Sequence, residues 1–266
     1  MYKSNRMKKY KRILTGTLLL ISSSVTTADT VQDQLHQVFS GGQVETMLAR
    51  ADAYRLGQAS TKIVTNVLVY RGEELESQNK YHVYIKPKRK SLVLFKGAGE
   101  EGQKMLMLQD NYWLLMPRSR RPIRITPMQK LLGGASIGDI ATLTWSEDYQ
   151  GQFEISETLQ QRQTHKLGLV AKTKGASYQK ISLWLDSESY FPVKAELYLK
   201  SGKLAKVAHF VQGQRGGQLV VEEMVLVDSI NTNTKTKIRY ESSTVHTLAD
   251  KFYNPAYLSR QSITGL

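Results

Sequence analysis

The chain has 266 residues, 41% of them hydrophobic, which suits one large all-β domain or two small ones. It contains no cysteine, which excludes disulfides, thiolate metal sites, a cysteine nucleophile and a lipid carried on a cysteine after a leader. The formal net charge is +14, and removing the six bases Lys3, Arg6, Lys8, Lys9, Lys11 and Arg12 takes it to +8; in an exported chain this points to anionic lipid or an acidic partner before nucleic acid, with a plain solvated basic surface as the bland alternative.

Those bases form an acid-free n-region, followed by an apolar stretch over 13–25 that is too short to span a bilayer. Thr26, Thr27 and Ala28 offer small residues for cleavage. The pattern predicts a signal peptide over 1–28, cleaved near Ala28, export to the periplasm, and a single domain over 29–266; an uncleaved anchor is the alternative. Val31, Leu35, Val38 and Phe39, then Val44, Met47, Leu48 and Ala51, repeat at helical spacing. One amphipathic helix is expected, broken or capped at Gly41-Gly42.

From Lys62 the period changes to two. Ile63, Val67 and Val69 on one face, with Val64 and Leu68 on the other, predict a strand covered on both sides. Arg71 to Glu74 reads as a turn, Tyr81, Val83 and Ile85 as the next strand, and 92–95 as its partner across Pro87. Residues 105–108 and 112–116 flank Asp110-Asn111 and predict a β-hairpin that stops at Pro117. A basic connector follows, with Arg118, Arg120, Arg121 and Arg124. Pro127 then opens an apolar flap over 128–132, and Gly133-Gly134 closes it, an order suited to a mouth with a lid. Beyond Tyr149, apolar alternation returns in 153–159, 167–172, 181–185, 193–199, 204–211, 219–227 and 234–240, divided by turn residues. About ten antiparallel strands are expected, enough to curl into a barrel or split into two sheets.

Catalytic signals are sparse. Gly134-Ala135-Ser136-Ile137-Gly138 fits a nucleophile elbow, with Asp186 and His246 as nameable partners, but the elbow needs a parallel α/β setting that the rest of the chain denies. His36, His82, His165, His209 and His246 lack metal-ligand spacing, and no phosphate loop precedes a helix, so no metal and no cofactor are expected. Met105, Met107, Met116 and Met128 crowd one stretch; methionine adapts to ligands of varied shape, and equally fills an ordinary core.

Gln109 to Pro117, followed by basic residues and Ile123-Arg124-Ile125, resembles the central hairpin of LolA-like outer-membrane lipoprotein-sorting proteins. Residues 85–89 resemble the family's earlier basic-and-proline element, 248–255 its closing segment with Asp, Phe and Pro, and 138–149 its uncharacterised lipoprotein-sorting branch. The resemblance implies a mainly β fold: a strongly curved antiparallel sheet forming a half-open barrel, with an N-terminal helix and short lid helices on the concave side. It implies a soluble, monomeric, non-enzymatic carrier that shields acyl chains of lipoproteins or lipids, handing them from an inner-membrane transporter to an outer-membrane acceptor. With strand parity for the lining, the expected acyl-binding residues are Val67, Val69, Val93, Phe95, Met105, Met107, Trp113, Leu115, Ile181 and Leu183. Met128, Leu131 and Leu132 form the lid, and Arg89, Arg121 and Arg124 the basic mouth, with Arg89 nearest to the arginine that contacts the lid in the family. Two alternatives remain: a lipid-sensing or docking module of a transporter or regulatory complex, and a serine hydrolase through Ser136.

Overall fold

The computed structural model describes residues 39–57, 60–132, 134–140, 144–229, 232–261 and 263, with the side chains of 130–132 and 137 outside the description. The predicted leader over 1–28 lies outside the described residues.

The chain enters through helix α1 (Gly41–Leu56). Ser40 caps it: its hydroxyl accepts from the Gln43 amide, and the Gln43 side chain accepts from the Ser40 amide. This reciprocal capping box satisfies two backbone donors that a helix start leaves bare. Val44, Met47, Leu48 and Ala51 fall on one stripe and are buried. The glycines expected to break or cap the helix stand at the start of this one, and the expected helical residues over 31–38 lie outside the described residues.

Six strands follow as a meander: β1 (Thr61–Arg71), β2 (Glu74–Lys86), β3 (Lys90–Phe95), β4 (Lys104–Leu108), β5 (Asn111–Leu115) and β6 (Ile123–Ile125). After an excursion, seven more run consecutively: β9 (Tyr149–Leu159), β10 (Arg162–Ala171), β11 (Lys180–Asp186), β12 (Pro192–Tyr198), β13 (Leu204–Arg215), β14 (Gln218–Asp228) and β15 (Thr234–Val245). The first strand pairs with the last, from Thr61 opposite Val245 to Arg71 opposite Thr234. This joins the two meanders into one curved antiparallel sheet of thirteen strands, bounded by β6 and β9 as unpaired edges, so it does not close. About ten strands were expected. The three-residue β6 was not expected as a strand, and β2 and β9 run longer than expected through polar halves where apolar alternation gives no signal.

The excursion between β6 and β9 is the predicted lid region. It contains a small hairpin of β7 (Lys130–Leu132) and β8 (Ala135–Ser136), then the one-turn helices α2 (Ile137–Ile140) and α3 (Trp145–Asp148). The flap over 128–132 is thus partly a strand of its own hairpin, and the lid helices come after it.

The sheet buries both faces. The concave face carries the larger apolar cluster, fed by nearly every strand and covered by α1, Met128, Ala135, Ile140 and Trp145. Gly151 on β9 lets α1 rest closely on the sheet, since a Cβ there would lie 2.7 Å from Val44 Cγ1. The smaller convex cluster joins Tyr84, Leu92, Leu94, Leu106 and Leu115 to the C-terminal segment, through Leu248, Tyr253 and Leu258. That segment holds a 3-10 turn (Asp250–Tyr253) and α4 (Pro255–Leu258), whose first amides are capped by the Asn254 side chain.

Candidate functional site

The concave face is apolar because alternate residues of each strand point to it. Tyr81 and Val83 of β2, Val93 and Phe95 of β3, Met105 and Met107 of β4, Leu167 and Leu169 of β10, and Ile181, Leu183 and Leu185 of β11 are all buried there. Under the cover, the interior cavity between Trp145, Tyr178, Ile181, Leu197, Phe210 and Met224 measures only about 20 Å³. Small-molecule sites typically offer about 300 Å³ or more. At this place among the described residues the hollow is filled by the chain's own side chains, and an apolar guest there must displace some of them, whereas a wider cleft of about 620 Å³ opens beside α1 and α3, between Ala49, Ala53, Leu56, Ile85 and Thr144. A surface groove of about 700 Å³ reaches the edge of this cover, lined by Met128, Ala176 and Leu199 beside Lys172, Lys174 and Lys200.

Three polar clamps hold the cover down. Asp52 of α1 accepts hydrogen bonds from the amides of Trp145 and Ser146 at 3.0 and 2.9 Å, and from the Ser146 hydroxyl at 2.7 Å. It thereby caps α3 from outside that helix. Burial pushes the Asp52 carboxyl up, against the opposing pull of Arg55 and the donated amides. Arg55 also stacks over the Trp145 ring, 4.7 Å from its centroid.

The second clamp is a buried ion pair. Lys206 Nζ lies 2.6 Å from Asp139 Oδ2, with both side chains at most 5% exposed. The Ser136 amide and hydroxyl and the Tyr178 hydroxyl donate to the same carboxylate. Burial opposes ionisation of Asp139, but the Lys206 ammonium and the Ser136 donors outweigh it and hold the carboxyl below its ordinary range. Two glycines fit this packing: a Cβ at Gly138 would run into the Ser177 hydroxyl, and one at Gly134 would lie 3.1 Å from Thr236 Oγ1, to which the Gly134 amide donates.

The third clamp draws the β4–β5 hairpin tip onto the β10–β11 loop. Arg89 Nη1 donates to Asp110 Oδ1 at 2.8 Å, and Arg89 Nε sits 2.6 Å from Asp148 Oδ1 at the end of α3. Asp110 also accepts from the Gly175 amide at 2.8 Å, and the Tyr112 hydroxyl donates to the Gly175 carbonyl at 3.0 Å. The hydrogen bond from Arg89 is the main reason the Asp110 carboxyl titrates low.

Of the residues expected from sequence, Val67, Val93, Phe95, Met105, Met107, Ile181 and Leu183 fall in the concave cluster. Val69 is buried on β1 outside it. Trp113 and Leu115 lie on the convex face instead. The reason is register. The hairpin turns at Gln109-Asp110, with Leu108 opposite Asn111, so odd positions of β4 face even positions of β5. Met105 and Met107 thus share a face with Leu114 and Tyr112, and strand parity flips across the turn. Met128 packs against the cluster, while the side chains of Leu131 and Leu132 fall outside the described residues. Arg89 and Arg124 meet the hairpin tip, Arg124 through Asn111 Oδ1 at 2.6 Å; exposed Arg121 lies in the connector beyond the other end of β5. Asp52, Asp139, Asp148, Tyr178 and Lys206 were not singled out, although Asp139 and Asp148 lie inside the 138–149 run that carried the resemblance.

Ser136 is fully buried and its hydroxyl donates to Asp139 at 2.8 Å. Asp186 accepts from Ser189 in the β11–β12 turn, and His246 packs on Tyr84 of the convex side. The three residues of the sequence-level triad are not brought together. Among the described residues, no group of three His, Cys, Asp or Glu side chains is placed to hold a metal ion.

A family model described as "-like: Uncharacterized protein" matches residues 87–260, well over half of the chain. Among solved structures, a LolA superfamily protein from Nitrosomonas europaea is similar at 27% identity and a TM-score of 0.73, over 79% of this chain and 96% of that one. The chain belongs to the LolA-like family. A DUF1329 family protein from Desulfovibrio piger shares the fold at 18% identity and a TM-score of 0.68, over 82% of this chain and 98% of that one. So does a domain assigned to outer membrane lipoprotein-sorting proteins, from Vibrio parahaemolyticus, at 19% identity and a TM-score of 0.66, over 83% and 100%. No curated protein matches the sequence. In this LolA-like chain two of the segments that carry the resemblance, 85–89 and 248–255, meet in space: Lys86 pairs with Asp250 at 2.5 Å.

Proposed function

We propose that this LolA-like protein is a periplasmic carrier that shields acyl chains of lipoproteins or lipids against its concave face and has no enzymatic activity. One observation carries the reading: the apolar concave face of an unclosed sheet is covered by chain segments that pack on it and are pinned in addition by polar clamps. Here the cover competes with a guest for the same surface, which lowers net affinity and permits release. The demand is real, since each buried methylene is worth about 0.8 kcal/mol, or roughly 12 kcal/mol for a sixteen-carbon chain. The groove beside Met128, with its lysines, supplies an approach for a chain with an anionic headgroup. The relatives' lipoprotein-sorting assignment supports the same direction, and the basic, acid-free start of the sequence supports export.

The test is lipid mass spectrometry on protein purified from its native compartment, together with uptake of a fluorescent fatty acid. Co-purified acyl species and saturable uptake are expected. Neither appearing would sink the carrier reading. Persistent capture by one membrane complex, without delivery of bound lipid to acceptor vesicles, would favour a docking module.

A further inference from the structure

A second site lies away from the cover. Between the β3–β4 loop, the residues after β5 and the segment after α4, a cleft of about 370 Å³ is lined by Lys96, Lys104, Arg118, Arg120 and Arg260, against the single acid Glu101. Lys104 is its key member. It is only 8% exposed, and its Nζ donates to the carbonyl oxygens of Leu258 and Gln261 at 3.1 and 2.6 Å. Among the described residues no carboxylate pairs with it, and burial alone lowers its pKa. A buried ammonium without a counter-ion is costly, and two carbonyl dipoles compensate it only in part.

Arg118, Arg120 and Arg260 are exposed, and among the described residues their side chains make no ion pair or hydrogen bond. Several bases elsewhere are paired, as in Arg71–Glu76, Lys166–Glu154 and Arg239–Glu223. Guanidinium forks match the oxygens of a phosphate, and a buried ammonium behind them supplies a point charge. Ile123, 48% exposed on the edge strand just past this connector, adds an apolar contact suited to a lipid interface.

We propose that this cleft is a phosphate site through which the protein docks on an anionic membrane surface, its ligand being the phosphodiester headgroup of an anionic phospholipid. The site does not rest on acyl shielding, because its bases come from the β3–β4 loop, the start of β4, the connector after β5 and the C-terminal segment, away from α1 and the cover.

The experiment is co-sedimentation of the full chain with vesicles of phosphatidylcholine alone or with added phosphatidylglycerol. Each basic residue at an anionic leaflet contributes about fivefold in partitioning, so Arg118→Glu with Arg120→Glu should weaken binding to phosphatidylglycerol vesicles about 25-fold or more. Binding to neutral vesicles should not change. The control pair Lys180→Glu with Lys203→Glu, exposed on other strands and turns, carries the same charge change and should stay within about twofold of wild type. The proposal is overturned if wild type shows no preference for phosphatidylglycerol, or if the control pair weakens binding as much as the cleft pair. A calorimetric titration with inorganic phosphate forms a separate arm. Saturable phosphate binding without preference for phosphatidylglycerol would replace the membrane by a soluble phosphate and overturn the docking.

Discussion

Asp139 shows how one side chain can hold a segment in place. Its carboxylate collects Lys206, Tyr178 and both donors of Ser136, so it fixes α2 and β8 to β13 in a single contact. Removing one partner of a buried ion pair leaves the other charge uncompensated, at about 3–5 kcal/mol. Asp139→Asn should destabilise the protein by about that amount in urea unfolding, and adding Lys206→Met should recover part of it. A loss below about 1 kcal/mol would mean the pair is not a clamp. The pH dependence follows from the direction of the shift. The folded carboxyl titrates below its unfolded value of about 3.9, so its contribution is complete above that value and is lost as pH falls from there toward the folded one. Asp52 has the opposite sign: burial raises it, so its contribution is lost as pH rises through its folded value. Asp139→Asn should therefore flatten the acid limb of the stability curve below about pH 4. None of this pairing was legible in the sequence, because residues 67 positions apart leave no local pattern. What the sequence offered at the same place, the Gly-x-Ser-x-Gly match, marked a tight buried turn whose serine serves the clamp.

At the scale of elements, strands were legible wherever one face is buried and the other is wet. β12 alternates Ala195 and Leu197 against Lys194 and Glu196, and the period identified it directly. Faces were harder than strands. Trp113 and Leu115 are as apolar as any concave residue, and only the turn at Gln109-Asp110 reveals that they point outward. The convex cover explains why apolar residues are tolerated there, since Leu248, Tyr253 and Leu258 bury them. The hairpin tip has a mechanical role that can be isolated. Asp110→Ala removes the acceptor for both Arg89 Nη1 and the Gly175 amide. Its side chain is 40% exposed, so the global cost should stay near 1 kcal/mol or below. Locally the effect should be larger: amide exchange in 108–112 and 172–179 should accelerate about tenfold or more, because these segments open below the global unfolding energy. Unchanged exchange in both segments would show that apolar packing alone closes the rim.

For the whole molecule, the pairing of β1 with β15 decides the architecture, and sequence periodicity does not report it. Two meanders could have stacked as a sandwich; edge pairing between the first and last strands makes one continuous sheet, which leaves a single concave face to be covered. Because the cavity between Trp145, Tyr178 and Phe210 is about 20 Å³, the acyl uptake proposed above, if seated there, must wait for the cover to open. This predicts a kinetic signature as well as an affinity. The observed uptake rate should level off with rising ligand concentration at the opening rate, as expected when the competent state is a minor one. Trp145 is placed to report it, edge-on to Phe210 and beneath Arg55 on the cover. The other tryptophans, Trp113 and Trp184, sit elsewhere: Trp113 under Arg124 on the convex side, and Trp184 hydrogen-bonded to Glu157 and flanked by Lys166 and Lys194. With Trp113→Phe and Trp184→Phe in place, emission from Trp145 should shift as a fatty acid binds, at the same limiting rate as uptake. Asp110→Ala should raise that limit by loosening the rim. A rate that rises linearly with ligand, with Trp145 silent, would mean that acyl chains bind elsewhere on the molecule.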